Sequence, residues 1–218
     1  MEAEETLNAR QKMVSRQLEF RGIVNQGVLD AMRRIPRHLF VDSDLVHRAY
    51  NDTPLPIGHS QTISQPYIVA LMTQLLQLKP EDTVLEIGTG SGYQAAVLSE
   101  LAAKVYTVER IPELAERARG VLEQVGADNV QVVLGDGSVG LEKYAPYDAI
   151  IVTAAAPDVP EPLKKQLDDG GTLVIPAGGR GTQYLERWVR ERDRLQMERM
   201  VPVAFVPLLG KHGWKSAY

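Results

Sequence analysis

Three glycines in the stretch LEIGTGSGY, Gly88, Gly90 and Gly92, stand where a strand-like apolar run gives way to a helical one. Glycine lets the backbone approach a ligand closely, and free N–H groups at a helix start favour an anion, so a carboxylate or phosphate is the natural guest. Two acids follow at the ends of further strand-like runs. Glu109 closes VYTVE about twenty residues past the glycines, where a carboxylate can accept from both ribose hydroxyls. Asp136, in GDG before Gly137, can accept from an adenine amino group.

The spacing narrows the ligand. A dinucleotide loop carries glycine at its first, third and sixth places, and the sixth here is Tyr93. No Lys-Ser or Lys-Thr pair follows, so a Walker phosphate loop is excluded. Glu86, two residues before Gly88, places negative charge beside the loop, which suits an ammonium or sulfonium and conflicts with a pyrophosphate. Each piece alone has a plain explanation. Glycines are common at strand-to-helix turns, Glu109 can pair with Arg110 or Arg117, and Asp136-Gly137 is an ordinary turn. On three consecutive strand ends, in this order, they read as a nucleoside-cofactor site.

The elements that must carry these residues are visible in the hydrophobic pattern. Thr83–Gly88, Lys104–Glu109, Val130–Gly135, Asp148–Thr153 and Thr172–Pro176 are short β-rich runs. Their nearly continuous apolar character is that of parallel strands covered on both faces. Helical patterns at Gly92–Ala103, Pro112–Gly126 and Pro160–Leu167 alternate with them, which predicts an α/β doubly wound, mostly parallel sheet. Gln183–Glu191 and Leu195–Pro207 predict an antiparallel hairpin at one edge. Leu7 to Phe20 recur at helical spacing until Gly22, and Asn25 can cap a second helix that Pro36 ends, giving an N-terminal helical annex. Residues 37–64 show no period and predict a long irregular connection of a kind that is usually functional. A helix follows over Gln65–Gln77.

Composition sets the outer limits. Of 218 residues, 44% are hydrophobic and 24% charged, which suits a globular chain with a real core. A formal net charge of −4 argues against a nucleic-acid partner. The cluster of Arg187, Arg190, Arg192 and Arg194 reads as a solvated strand face. With no cysteine, thiolate catalysis and cysteine-based metal sites are excluded, and a reducing compartment is expected. The acidic start has no apolar core and no run is long enough to span a bilayer, so a cytoplasmic protein is expected. The histidines, His38, His47, His59 and His212, lack metal-ligand spacing, and no metal is expected.

LEIGTGSG, VYTVER and GDG resemble the cofactor motifs of class I S-adenosylmethionine-dependent methyltransferases, which have a Rossmann-like fold. By that resemblance Gly88, Gly90, Ser91 and Gly92 line the methionine end, Glu109 and Arg110 the ribose, and Asp136 and Gly137 the base. QTISQPYIVALM, DAIIVTAAAPDVPEPLKKQLDDGGTLVIPAGG and FVPLLG, in this order, are similar to segments of the protein-L-isoaspartate O-methyltransferase family. The similarity covers residues 8–209. It implies one methyltransferase domain over 1–218, with 1–78 as helices and substrate-side loop and 79–218 as cofactor core and hairpin. It also implies methyl transfer to the free carboxylate of L-isoaspartyl residues in damaged proteins and peptides, starting repair through a succinimide. S-adenosylmethionine would be the cofactor, with S-adenosylhomocysteine as product, and the protein is expected to act as a monomer. A small-molecule methyltransferase on the same scaffold is the alternative. Two positions depart from the family pattern: Ser60 where relatives commonly have glycine, and Ser138 where they often have tryptophan.

Ser64 holds two readings. Serine is a favoured helix N-cap and Pro66 is tolerated in a first turn, so Ser64 reads as the cap of the helix beginning there. The resemblance makes it the active-site residue. The two are compatible if the N–H groups and dipole of the helix start orient an acceptor carboxylate. Thr62 and Ile63 are expected to offer backbone groups to a peptide, His59 lies near enough to be considered for substrate contact, and Val206, Pro207 and Leu208 are implied as the opposite wall.

Overall fold

The computed structural model describes residues 4–180 and 182–216. α1 (Glu4–Met13) continues through a π-turn at Val14–Leu18 and a 3₁₀ turn at Glu19–Arg21. It stops at Gly22, whose φ of 89° is the left-handed conformation glycine accepts most readily. α2 (Gln26–Arg34) is capped by Asn25, whose side chain accepts from the Val28 amide at 3.1 Å. It ends at Ile35, before Pro36, because a proline disfavours helical backbone in the residue preceding it.

The stretch expected to be irregular is ordered. It forms 3₁₀ turns at Arg37–Phe40 and Ser43–Arg48, then an antiparallel ribbon of β1 (Leu55–Gly58) and β2 (Gln61–Ile63). Leu55, Ile57 and Ile63 anchor the ribbon by burial. Its turn was hidden in the sequence because His59 and Ser60 both sit at positive φ (52° and 56°), where Asn-Gly is the usual signal. The Ser60 departure therefore places a side chain where glycine would be unstrained.

After α3 (Pro66–Leu76) come β3 (Thr83–Ile87), α4 (Tyr93–Ser99), β4 (Lys104–Glu109), α5 (Pro112–Gln124), β5 (Val130–Leu134), β6 (Tyr147–Val152), α6 (Glu161–Gln166) and β7 (Leu167–Gly178), strands and helices alternating except between β5 and β6, which 3₁₀ turns join. β8 (Gln183–Glu191) and β9 (Arg194–Val203) complete a seven-stranded sheet of order β5-β4-β3-β6-β7-β8-β9. The first five strands in that order are parallel and the last two antiparallel, as the pattern predicted. β3 lies between β4 and β6, so the chain order reverses there and opens a crevice at the carboxyl ends of the strands.

The N-terminal helices are built into the core. Met13, Leu18, Val28 and Met32 share one buried cluster with Tyr93, Val97, Leu114 and Ala118 from α4 and α5. Each large apolar side chain buried this way contributes about 1.5–3 kcal/mol of transfer free energy, so packing holds these helices in place. β9 ends short of the expected Pro207. The chain leaves the sheet, and Val206–Leu208 runs beside Ala155, whose amide donates to the Val206 carbonyl while its own carbonyl accepts from Leu208, both at 2.8 Å. The arginine cluster divides: Arg187 Nε donates to the Leu75 carbonyl at the end of α3, and Arg190 Nη2 to the Lys164 carbonyl in α6. Both therefore serve carbonyls near helix ends.

Candidate active site

The carboxyl ends of β3, β4 and β6 open on a cleft of about 630 Å³ lined by Gly88, Gly90, Glu109, Arg110, Gly137, Thr62 and Val206–Leu208, with Thr153 and Leu209. Two further hollows adjoin it through shared residues. One of about 400 Å³ is lined by Thr62–Ser64, Gly88–Ser91 and Tyr93. The other, about 750 Å³, lies between Pro54, Thr62, Ser64, Gln65 and the segment Pro202–Val206. Ser64 faces both of these, and Thr62 and Thr153 line all three.

Glu109 is the centre of the cofactor-side geometry. One carboxylate oxygen accepts from the Gly90 amide at 2.9 Å, and the other from Arg110 and Ile111 amides at 2.8 and 3.0 Å. The carboxylate thus ties the glycine loop to the next strand end and keeps lone-pair capacity on the cleft side. Gly88 has φ 96°, and a Cβ there would come within 2.5 Å of Thr153 Oγ1. Thr153 donates to the Gly88 carbonyl at 2.6 Å. Gly92 is behind the lining, where a Cβ would press on Ala118 of α5 at 3.3 Å, so it serves helix packing.

Asp136 also stands behind the lining. Its Oδ1 accepts from the amide and hydroxyl of Ser138 at 2.9 and 2.7 Å, and its Oδ2 from the Lys211 amide at 2.8 Å. Burial pushes its carboxyl up, but these hydrogen bonds and Arg110 outweigh burial and hold it below the usual carboxylate range. Ser138, fully buried, also accepts from the His212 amide at 3.0 Å. Ser138 thus fastens the C-terminal segment to the third strand end.

Burial works against the negative charge expected from Glu86. Its side chain is fully buried in mid-strand between β4 and β6, opposite Thr107. Burial raises its pKa to about 8, the nearby Thr107 hydroxyl lowers it somewhat, and Glu109 raises it further. The Thr107 hydroxyl lies 2.6 Å from Thr89 Oγ1 in a shared hydrogen bond, and neither Glu86 oxygen has a hydrogen-bond partner among the described residues.

The cap reading of Ser64 is also corrected. Gln65 occupies the N-cap position of α3 with no side-chain cap bond. The amide of Tyr67 donates instead to Asp52 Oδ1 at 3.0 Å, and Asp52 is paired with Arg21. Pro66 has no N–H to offer, the Tyr67 amide is taken by Asp52 and the Ile68 amide by the Gln65 carbonyl at 3.1 Å, so these three residues offer no free amide to an acceptor carboxylate. Ser64's carbonyl accepts from the buried Arg37 at 2.7 Å, Ser64 lines the two adjoining hollows, and its hydroxyl has no hydrogen-bond partner among the described residues. His59 lies exposed at the ribbon turn and is not in the lining of these hollows. Sequence reasoning missed Thr153 and Arg37. Thr153 had a usable signal, since it follows an apolar strand ending at the same sheet edge.

A Rossmann-like sheet with a glycine loop after its first parallel strand and acids at the next two strand ends defines a class I methyltransferase. Family comparison gives the particular kind: residues 8–213 match the model of protein-L-isoaspartate(D-aspartate) O-methyltransferase, and the chain belongs to that family. A protein-L-isoaspartate O-methyltransferase of Methanoculleus marisnigri is 54% identical over 99% of this chain and 98% of its own length. One from Methanoregula boonei is 56% identical over 95% of each chain. A solved protein-L-isoaspartate O-methyltransferase superposes with a TM-score of 0.85 at 30% identity, covering 94% of this chain and 67% of that one. A candidate enzyme of this kind from Plasmodium falciparum, solved with S-adenosylhomocysteine, gives 0.81 at 26% identity, covering 92% of this chain and 98% of that one.

Proposed function

We propose that Ser64 positions the methyl acceptor in the reaction of this family: transfer from S-adenosylmethionine to the free carboxylate of an L-isoaspartyl residue in a damaged protein or peptide. The carrying observation is that Ser64 lines the hollows beside the glycine loop while its hydroxyl caps no helix. The cleft fits the cofactor's chemistry, with a carboxylate beside a loop of small residues and apolar walls from Ile87, Val108, Ile111 and Leu208. When bound, S-adenosylmethionine supplies a methyl carbon activated by a positive sulfur. Gly88, Gly90 and Ser91 would hold its methionine end and Glu109 and Arg110 its ribose. Gly137 would meet the base, with Asp136 fixing that corner.

An isoaspartyl carboxylate ionises near pH 4, roughly as aspartate does, and is already anionic at neutral pH. No base is needed to activate it. The protein must exclude water and align the acceptor oxygen, and such positioning is worth up to about 7–11 kcal/mol in well-oriented model systems. Ser64 donates to the acceptor carboxylate, Thr62 and Ile63 present backbone to an extended peptide, and Val206, Pro207 and Leu208 close the opposite wall. The following backbone amide nitrogen then attacks the ester carbonyl and expels methanol, and water reopens the resulting succinimide in part to normal aspartate. The lack of cysteine supports a reducing, cytoplasmic setting, and a monomer without a nucleic-acid partner is the proposed working form.

Labelled S-adenosylmethionine offered with matched isoaspartyl and aspartyl peptides tests the reading. Base-labile label on the isoaspartyl peptide alone is expected. Label on neither, or equally on both, contradicts it.

A further inference from the structure

Arg37 opens the 3₁₀ turn after α2, and its side chain is fully buried. Burying a guanidinium costs several kcal/mol unless its donors are met, so the partners it does find are informative. Nε donates to the Ala49 carbonyl at 2.8 Å and Nη2 to the Ser64 carbonyl at 2.7 Å. The group lies 4.8 Å from the ring centroid of Tyr93, which lines the same hollow as Ser64. Nη1 has no hydrogen-bond partner. Burial lowers the pKa to about 10, with Tyr93, Tyr50 and Asp52 raising it, so the group is a cation throughout the neutral range.

The Ala49 and Ser64 carbonyls belong to the two segments that meet at the start of α3. The loop after Ala49 carries Asp52, which caps the helix, and β2 runs directly into Ser64. A planar fork can hold two carbonyls in fixed relation, which a lysine ammonium cannot reproduce. With the helix start already sealed by Asp52 and Pro66, nothing else among the described hydrogen bonds fixes the Ser64 peptide.

We infer that Arg37 is a positioning residue for methyl transfer, gripping the Ser64 carbonyl so that the Ser64 hydroxyl is held towards the acceptor. This rests on the reading of Ser64 given above. Arg37 itself touches neither cofactor nor acceptor; its effect passes through Ser64.

The test is a double-mutant cycle with isoaspartyl peptide at saturating cofactor. Arg37→Lys is expected to lower kcat about tenfold with little change in KM, a coupling ordinary for residues in one hydrogen-bond network. In a Ser64→Ala background the same change should cost less than about twofold, because the positioned group is gone. S-adenosylhomocysteine affinity should hold in all variants. Arg37→Gln, which sheds the buried charge and keeps a donor, gives a second readout should the lysine variant fold poorly, and the same dependence on Ser64 is expected. Equal losses of kcat in both backgrounds would overturn the inference and leave Arg37 a purely structural stitch. A wild-type rate in Ser64→Ala alone would instead remove the premise, and the inference with it.

Discussion

The amide of Tyr67 donates to Asp52 Oδ1 at 3.0 Å, so α3 is capped by a carboxylate fifteen residues upstream and not by the serine beside its first turn. That relationship separates two roles which lie together in the sequence. Asp52 holds the helix, and Ser64, at the lining of the cleft, is left with a hydroxyl committed to no cap.

Stability should follow the same division. Asp52→Ala removes the cap and is expected to cost about 1–2 kcal/mol of unfolding free energy. Ser64→Ala is expected to change it by less than about 0.5 kcal/mol, because the half-buried side chain makes no cap or other hydrogen bond among the described residues to lose. Urea unfolding of the two variants checks this, and a larger loss for Ser64→Ala would restore the cap reading.

Glu109 is expected to resist even its amide. Its two oxygens accept from Gly90 on one side and from Arg110 and Ile111 on the other, so a glutamine must turn its NH₂ towards a donor. Glu109→Gln should lose about 1–3 kcal/mol of stability, the cost of leaving a buried donor unmet. S-adenosylhomocysteine binding, followed by calorimetry, should weaken at least about tenfold, the equivalent of one hydrogen bond to a charged group. Unchanged affinity would separate Glu109 from the cofactor.

Glu86 gives the fold a pH dependence. Its folded pKa of about 8 lies above the ordinary 4.5, so the folded state holds a proton that the unfolded chain has released. Its contribution is full below pH 4.5 and is lost progressively towards pH 8, at up to about 1.4 kcal/mol per pH unit. Glu86→Gln mimics the protonated form. It should be more stable than the parent near pH 8 and show a flatter unfolding profile between pH 5 and 8. Identical profiles would mean that Glu86 is ionised in the fold.

What could be read in advance followed from local chemistry. Parallel strands buried on both faces advertise themselves as apolar runs, and Gly88, Glu109 and Asp136 mark where three of them end. The β1–β2 ribbon did not, because its turn uses His59 and Ser60 where a glycine signal would have stood. Glu86 was misjudged because charge was assigned before burial was known. Asp52 and Arg37 were invisible for a common reason. Their partners lie 15 and 27 residues away and are backbone groups, which no side-chain pattern reveals.

The most direct test of the role given to Ser64 is the single-turnover rate of methyl transfer to an isoaspartyl peptide by Ser64→Ala at saturating cofactor. Loss of a hydrogen bond to a charged acceptor, about 1.5–3 kcal/mol, should slow it roughly 10- to 100-fold while the fold and S-adenosylhomocysteine affinity are kept. A rate equal to the parent's would show that the hydroxyl takes no part in transfer.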